Sequence, residues 1–360
     1  MPTGSGIDAL PDEVLHHILG FLEAHESVRT CVLARRWRHL WKSATGLRVV
    51  AGNDEFLGSV GKLCNFMDSL LRLRAGSPLY TCDLRVTSFG QSVSNCLFED
   101  DHSLLCLVST WFWHAVKCQV RVLRLNAFST DHFKLAPILP LDKRLVDSRH
   151  LTRLELAGIV LNRRLLDFSN CPSLEHLEFR NCCSNSDGDS RLCICAPSLV
   201  SLLLDDIWGM IPMLESIPSL VKAVVTTEDC YESCTKEDCN CEFCGNSYSI
   251  GDDTGSNGCV LLKGLSGAKD LALVSGPETF IFKKDLRWCP VFILEKLTLE
   301  LSSKEPRQQR ERKGILRPME GSAAILEHLK IIEVRCDVVD ERICKLTLFL
   351  CAFHIRLSLN

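Results

Sequence analysis

The sequence has no excess of charge of one sign. Its 360 residues carry 41 Lys and Arg against 45 Asp and Glu, a formal net charge of −4. No general field therefore draws it to nucleic acid or to an anionic membrane surface, and neither partner is expected. Long apolar runs are missing too. No uninterrupted stretch approaches the ~18 residues that a membrane-spanning helix needs. The opening MPTGSGIDALPDEVL lacks the basic lead and the apolar stretch of a signal peptide, and no Asn-x-Ser/Thr acceptor occurs. The expected location is cytoplasmic, nuclear or both. In that setting the 21 cysteines read as reduced thiols, most of them small apolar fillers of a core, and not as a disulfide framework.

Catalytic signatures are also absent. Gly58-Ser-Val-Gly61-Lys62 has too few residues between its glycines for a phosphate loop and no Ser/Thr after the lysine. The GLSG at Gly264–Gly267 is one residue short of a nucleophile elbow, and no H-E-x-x-H occurs. The chain is expected to be no enzyme and to use no cofactor. Cys230, Cys234, Cys239, Cys241 and Cys244 form the one group with metal-ligand character. It holds a single clean Cys-x-x-Cys in a polar, acidic loop, whereas a structural zinc site shows two. A reduced loop without metal is the expectation, and a zinc-dependent binding module is the alternative.

Two periodicities are present. In residues 7–44, Pro11 suits a first helical position, with Asp12 and Glu13 favouring the positive end of the helix dipole. Val14, Leu15, Ile18, Leu19 and Leu22 follow at helical spacing. A second short helix carries Val28, Cys31 and Val32; a third brings Trp37, Leu40 and Trp41 together beside Arg35, Arg36 and Arg38. About forty residues can hardly bury that much apolar surface, and the surplus points to a partner, with packing on the rest of the chain as the alternative. Arg35, Arg36 and Arg38 read as a solvated face beside that interface.

A helix follows in EFLGSVGKLCNFMDSLLRLR, and then the pattern changes. VRVLRLNAF, LTRLELAGI, LEHLEFRNC and LVSLLLDDI share the order apolar-x-x-apolar-x-apolar, centred on Leu123, Leu154, Leu177 and Leu202. LVKAVVTTE, KDLALVS and LEKLTLE continue the series, YTCDLRVTSF precedes it, and Trp111 and Trp113 lie on an intervening helix as core residues. A short strand recurring at intervals of 23 to 31 residues is the signature of a leucine-rich-repeat solenoid, in which stacked neighbours bury what one strand cannot.

LPDEVLHHILGFL followed by VRTCVLARRWRHLW resembles the F-box. CPSLEHLEF, CVLLKGLSGAKDLAL and ILEHLKIIEVRCDVVDERI resemble the plant F-box/LRR group, the last of them its FBD-like C-terminal piece. The resemblance implies an α/β chain with a three-helix F-box at residues 1–50 and a helical linker at 51–78. A repeat domain at 79–301 carries a Cys-rich insert at 227–258, followed by a flexible segment at 302–321 and an FBD-like segment at 322–360. It implies docking on a Skp adaptor, and through it a cullin, by Leu10, Pro11, Ile18, Leu19, Val28, Leu33, Trp37 and Trp41. The repeats then hold a protein substrate for ubiquitin transfer. Ala34 departs from the family, which often has a capping Ser there. The chain is also short between Arg287–Pro290 and LEKLTLEL, and its end leaves the family's helical finish. An interaction protein without ligase association is the alternative.

Because side chains alternate across a strand, the leucines of each repeat point inward and their neighbours outward. Substrate contact is therefore expected at Arg124, Arg153, Glu155, His176, Glu178, Arg180, Leu203 and Asp205, as one concave patch.

Overall fold

Clusters of short polar residues and glycine separate the periodic segments, and the elements found fall between them. The computed structural model describes residues 6–51, 60–86, 110–127, 138–139, 147–161, 165–184, 192–207, 212–227, 261, 264–275, 295–301, 331–336 and 356–359. The chain divides into two compact units, residues 1–162 with 170–174, and residues 163–169 with 175–360.

In the first unit, helix α1 (Asp12–Leu19) follows an extended Pro11 and buries Leu15 and Leu19, four residues apart on one face. Helix α2 (Ala24–Arg29) opens on a capping box in which the Glu26 carboxylate accepts the Glu23 N–H at 3.4 Å. The expected third helix is instead two 3₁₀ turns, Arg35–Arg38 and Leu40–Ser43, parted at His39. Ahead of them Ala34 is extended (φ −156°) and makes no side-chain cap. Trp37 and Leu40 still reach the interior.

The chain then enters a sheet earlier than its periodicity suggested. Strand β1 (Gly46–Ala51) comes directly after the 3₁₀ turns. Helix α3 (Val60–Arg74), strand β2 (Thr81–Val86), helical residues 110–117 and strands β3 (Val122–Asn126), β4 (Ile138–Leu139), β5 (Arg153–Ala157) and β6 (Val160–Leu161) follow. Strands β1, β2, β3 and β5 pair in parallel in that order, and β4 pairs with β6. Leu47, Cys82, Leu123 and Leu154 lie in one register row, Val49, Leu84, Leu125 and Leu156 in another, and all eight are buried. Trp111 and Phe112 are buried and Trp113 is half-buried, so the first tryptophan is a core residue as expected. One carbonyl starts each new strand: that of Thr45 accepts the N–H groups of Tyr80 and Thr81, that of Tyr80 those of Arg121 and Val122, and that of Arg121 those of Thr152 and Arg153.

The second unit repeats the arrangement. Its strands are β7 (Leu165–Asp167), β8 (His176–Arg180), β9 (Cys183–Ser184), β10 (Cys193–Cys195), β11 (Ser201–Asp205), β12 (Met213–Glu215), β13 (Lys222–Thr227), β14 (Asp270–Ser275), β15 (Lys296–Leu301), β16 (Ile331–Cys336) and β17 (Arg356–Leu359). Strands β8, β11, β13, β14, β15, β16 and β17 form one parallel ladder, and β7, β10 and β12 a second row. Turns precede the ladder strands. Leu199 donates its N–H to Ala196, Leu220 to Ile217 and Ala268 to Leu265, and all six side chains are buried. The GLSG sequence belongs to such a turn. A Cβ added to Gly264 would stand 2.2 Å from Leu214 Cβ, so the glycine permits close packing. The chain is thus a mixed α/β protein of parallel strands behind an N-terminal helical segment.

Candidate functional site

Two surfaces collect the residues that the sequence singles out. On the N-terminal segment, the Arg36 guanidinium donates to the Leu10 carbonyl and the Asp12 carboxylate. This ties the Arg35–Arg38 turn to the start of α1. Of the expected adaptor-facing side chains, Pro11 and Leu33 are exposed, while Leu10, Ile18 and Val28 are half-buried. Leu19, Trp37 and Trp41 are buried by this chain itself, at 1%, 5% and 7% exposure. The apolar side chains left in solvent are Ile7, Val14, Phe21, Val32 and Leu33, with Val32 82% and Leu33 68% exposed. The N-terminal surplus therefore divides between an internal core and an uncovered surface. Val32 was missed as a surface candidate, although a Cys-Val-Leu run is longer than one face of a short helix can bury.

This surface is fixed to the first strand. Gly20 and Gly46 meet backbone to backbone, and a Cβ on Gly46 would stand 2.2 Å from the Gly20 carbonyl oxygen. Beside them, Arg74 at the end of α3 is 3% exposed. It donates to the carbonyls of Trp41 at 3.0 Å and Ala44 at 2.8 Å, shortly before β1. Burial lowers its pKa from the ordinary 12.5. Burial also pushes the neighbouring Cys82 thiol up to about 12 and raises that of Cys118, while Arg74 acts against both rises. These thiols are neutral and packed, which is the filler role expected of them.

The second surface is the outward face of the parallel strands. In the first unit, Arg48 of β1, Asp83 of β2, Arg124 of β3 and Glu155 of β5 are register partners, with Arg85 and Arg153 beside them. Asp83 lies 3.8 Å from Arg48 and 3.0 Å from Arg85; Glu155 lies 2.9 Å from Arg124 and 2.5 Å from Arg153. In the second unit, Glu178, Leu203, Val224 and Ala272 are register partners. Arg180 stands 3.2 Å from both Glu178 and Asp205, and His176 is half-buried at the start of β8. All eight expected contact residues thus occupy outward or edge positions, three on the first unit and five on the second.

Among the described residues no group of His, Cys, Asp and Glu is arranged to hold a metal ion, and no helix is long and apolar enough to cross a membrane. The Cys230–Cys244 group lies outside the described residues.

Comparison with known proteins gives the N-terminal segment a family. The model of the F-box domain matches residues 7–46. Among curated proteins of Arabidopsis thaliana, a putative FBD-associated F-box protein is 27% identical over 180 residues, 50% of this chain and 40% of the relative. An F-box/FBD/LRR-repeat protein is 27% identical over 183 residues, 51% of this chain and 38% of the relative. An F-box/LRR-repeat protein is 28% identical over 234 residues, 62% and 45% respectively. The chain spans less than half the length of each of these three relatives.

Proposed function

We propose that this chain, a relative of plant F-box/FBD/LRR-repeat proteins with an F-box of its own, is a non-catalytic recruiting subunit of a Skp–cullin–F-box ubiquitin ligase. The observation that carries the reading is the uncovered apolar set Ile7, Val14, Phe21, Val32 and Leu33, which lies within the matched F-box. Large apolar side chains left in solvent within one small helical segment call for a partner, and a Skp-type adaptor is the partner that an F-box takes. Leu10, Pro11, Ile18 and Val28 border that contact. Leu19, Trp37 and Trp41 act from behind, by holding the helices in place.

The parallel strands support a leucine-rich-repeat solenoid, whose outward face holds the substrate. Catalysis by this chain is not required: holding a substrate lysine near a ubiquitin-loaded enzyme makes the encounter effectively intramolecular. The working location is the cytoplasm or nucleus, where such ligases operate. Ala34 and its uncapped 3₁₀ turn favour a second reading, in which the repeats bind partners without an adaptor. Co-purification decides between them. The full chain should bring down a plant Skp adaptor in equal amount, and the chain lacking residues 1–45 should not. Capture of substrate with no adaptor present supports the second reading.

A further inference from the structure

The second row of strands in the second unit, β7, β10 and β12, carries a channel that the proposed function leaves unused. Alternation along these strands turns Leu166, Ile194 and Leu214 inward, and all three are buried. Their neighbours face solvent in two register rows, Leu165–Cys193–Met213 and Asp167–Cys195–Glu215. In the first row the outer side chains are exposed, Leu165 at 49% and Met213 at 36%, whereas Cys193 between them is 8% exposed. In the second, Asp167 and Glu215 are exposed and Cys195 between them is half-buried. Large side chains on the flanking strands thus form two walls, and two small thiols on the central strand form the floor. One end of this channel is apolar and the other acidic.

The acidic end is uncompensated, since neither Asp167 nor Glu215 has a cation partner among the described residues. Asp167 accepts instead from the Ser169 N–H at 2.9 Å and the Ser169 hydroxyl at 2.5 Å. These hydrogen bonds hold its carboxyl below the ordinary 3.8, so it stays ionised. Burial, and then the Glu215 carboxylate beside it, push the Cys193 thiol up to about 12, so the floor there is neutral. An end of this sign repels phosphate, and with it nucleic acid and anionic lipid.

We infer that this channel receives the side chain of an arginine or lysine of a partner protein. The methylene stem lies between Leu165 and Met213, and the cationic head lies between Asp167 and Glu215. The two rows are two residues apart along the strands, about 6.6 Å, which a stem of three or four methylenes spans. The walls stand two strands apart, about 10 Å between backbones, so one unbranched stem fits above the thiols. A guanidinium favours arginine over lysine, because its planar fork donates from both edges and so to a carboxylate on either side. The channel uses none of the ladder residues assigned to the substrate, and it stands whether or not the ligase reading does.

Saturation-transfer NMR on the full chain, with Nα-acetyl-arginine methylamide as the probe, reads a contact of one side chain directly. Saturation should reach the stem methylenes of the probe and fall as salt rises, and the uncharged citrulline analogue should show little. Glu215→Gln, a change at an exposed carboxylate, should weaken the probe about threefold, the scale of one exposed ionic contact, with the melting temperature unchanged. Cys193→Met raises the floor and should weaken the probe with both carboxylates in place; if that variant does not fold, Glu215→Gln alone decides. No saturation of the probe, equal saturation of the citrulline analogue, or undiminished affinity in Glu215→Gln overturns the inference. Sedimentation of the same samples tests the kind of partner. Self-association that Glu215→Gln abolishes would put a second copy of this chain in the channel and overturn a separate partner.

Discussion

Arg74 shows how one side chain joins the N-terminal helices to the sheet. Its guanidinium donates to the carbonyls of Trp41 and Ala44, in the segment that leads into β1. Hydrogen bonds from a charged donor contribute about 1.5–3 kcal/mol each. Arg74→Leu should therefore cost about 3 kcal/mol in a urea titration, with Arg74→Lys recovering part of it. Nothing in the sequence announced this residue. An arginine in the last turn of a helix reads as an exposed partner of the helix dipole, and only the return of the chain at residues 41–44 buries it. Cys82 makes a prediction in pH. Its thiol moves from an ordinary value of 9.0 to about 12 in the fold, because burial disfavours the thiolate. The folded pKa is raised, so the stabilisation is complete below pH 9 and lost as pH rises toward 12. Thermal melting should fall across that window, and Cys82→Ala should flatten the fall.

At the scale of elements, the strands were legible and their surroundings were not. Period-two alternation fixed which side of β3, β5, β8 and β11 faces inward: Leu123 and Leu125, Leu154 and Leu156, Leu177 and Phe179, and Leu202 and Leu204 are all buried. It also placed Arg124, Glu155, Glu178 and Leu203 outward. Strands of three residues such as Leu165–Asp167, Cys193–Cys195 and Met213–Glu215 are too short to show a period. Strand β1 was hidden because GLRVVA adjoins the helical segment and reads as its tail. The expected third helix is two 3₁₀ turns, parted at His39. On the N-terminal surface, apolar identity was readable, but which apolar residues stay outside depends on how the turns close. The crossing of α1 and β1 at Gly20 and Gly46 leaves no room for a side chain. Gly46→Ala should cost about 1–3 kcal/mol by overpacking, seen as a lower melting temperature, whereas Gly76→Ala, with open space around it, should pay only for its positive φ of 78°.

At the scale of the whole molecule, the proposed function gives the exposed side chains of the F-box to a partner and its buried ones to the fold. These roles separate experimentally. Val32 and Leu33 contribute nothing to the core and should tolerate charge; Trp37 is buried and should not. The most direct measurement is calorimetric titration of a plant Skp adaptor into the full chain, the double variant Val32→Asp, Leu33→Asp and the variant Trp37→Ala, each with its own melting curve. The double variant should lose at least about 2 kcal/mol of binding, as for a central apolar anchor, with its melting temperature unchanged. Trp37→Ala should melt first and bind less only as a consequence. Full adaptor affinity in the double variant, or no adaptor binding by the unaltered chain, would contradict the account.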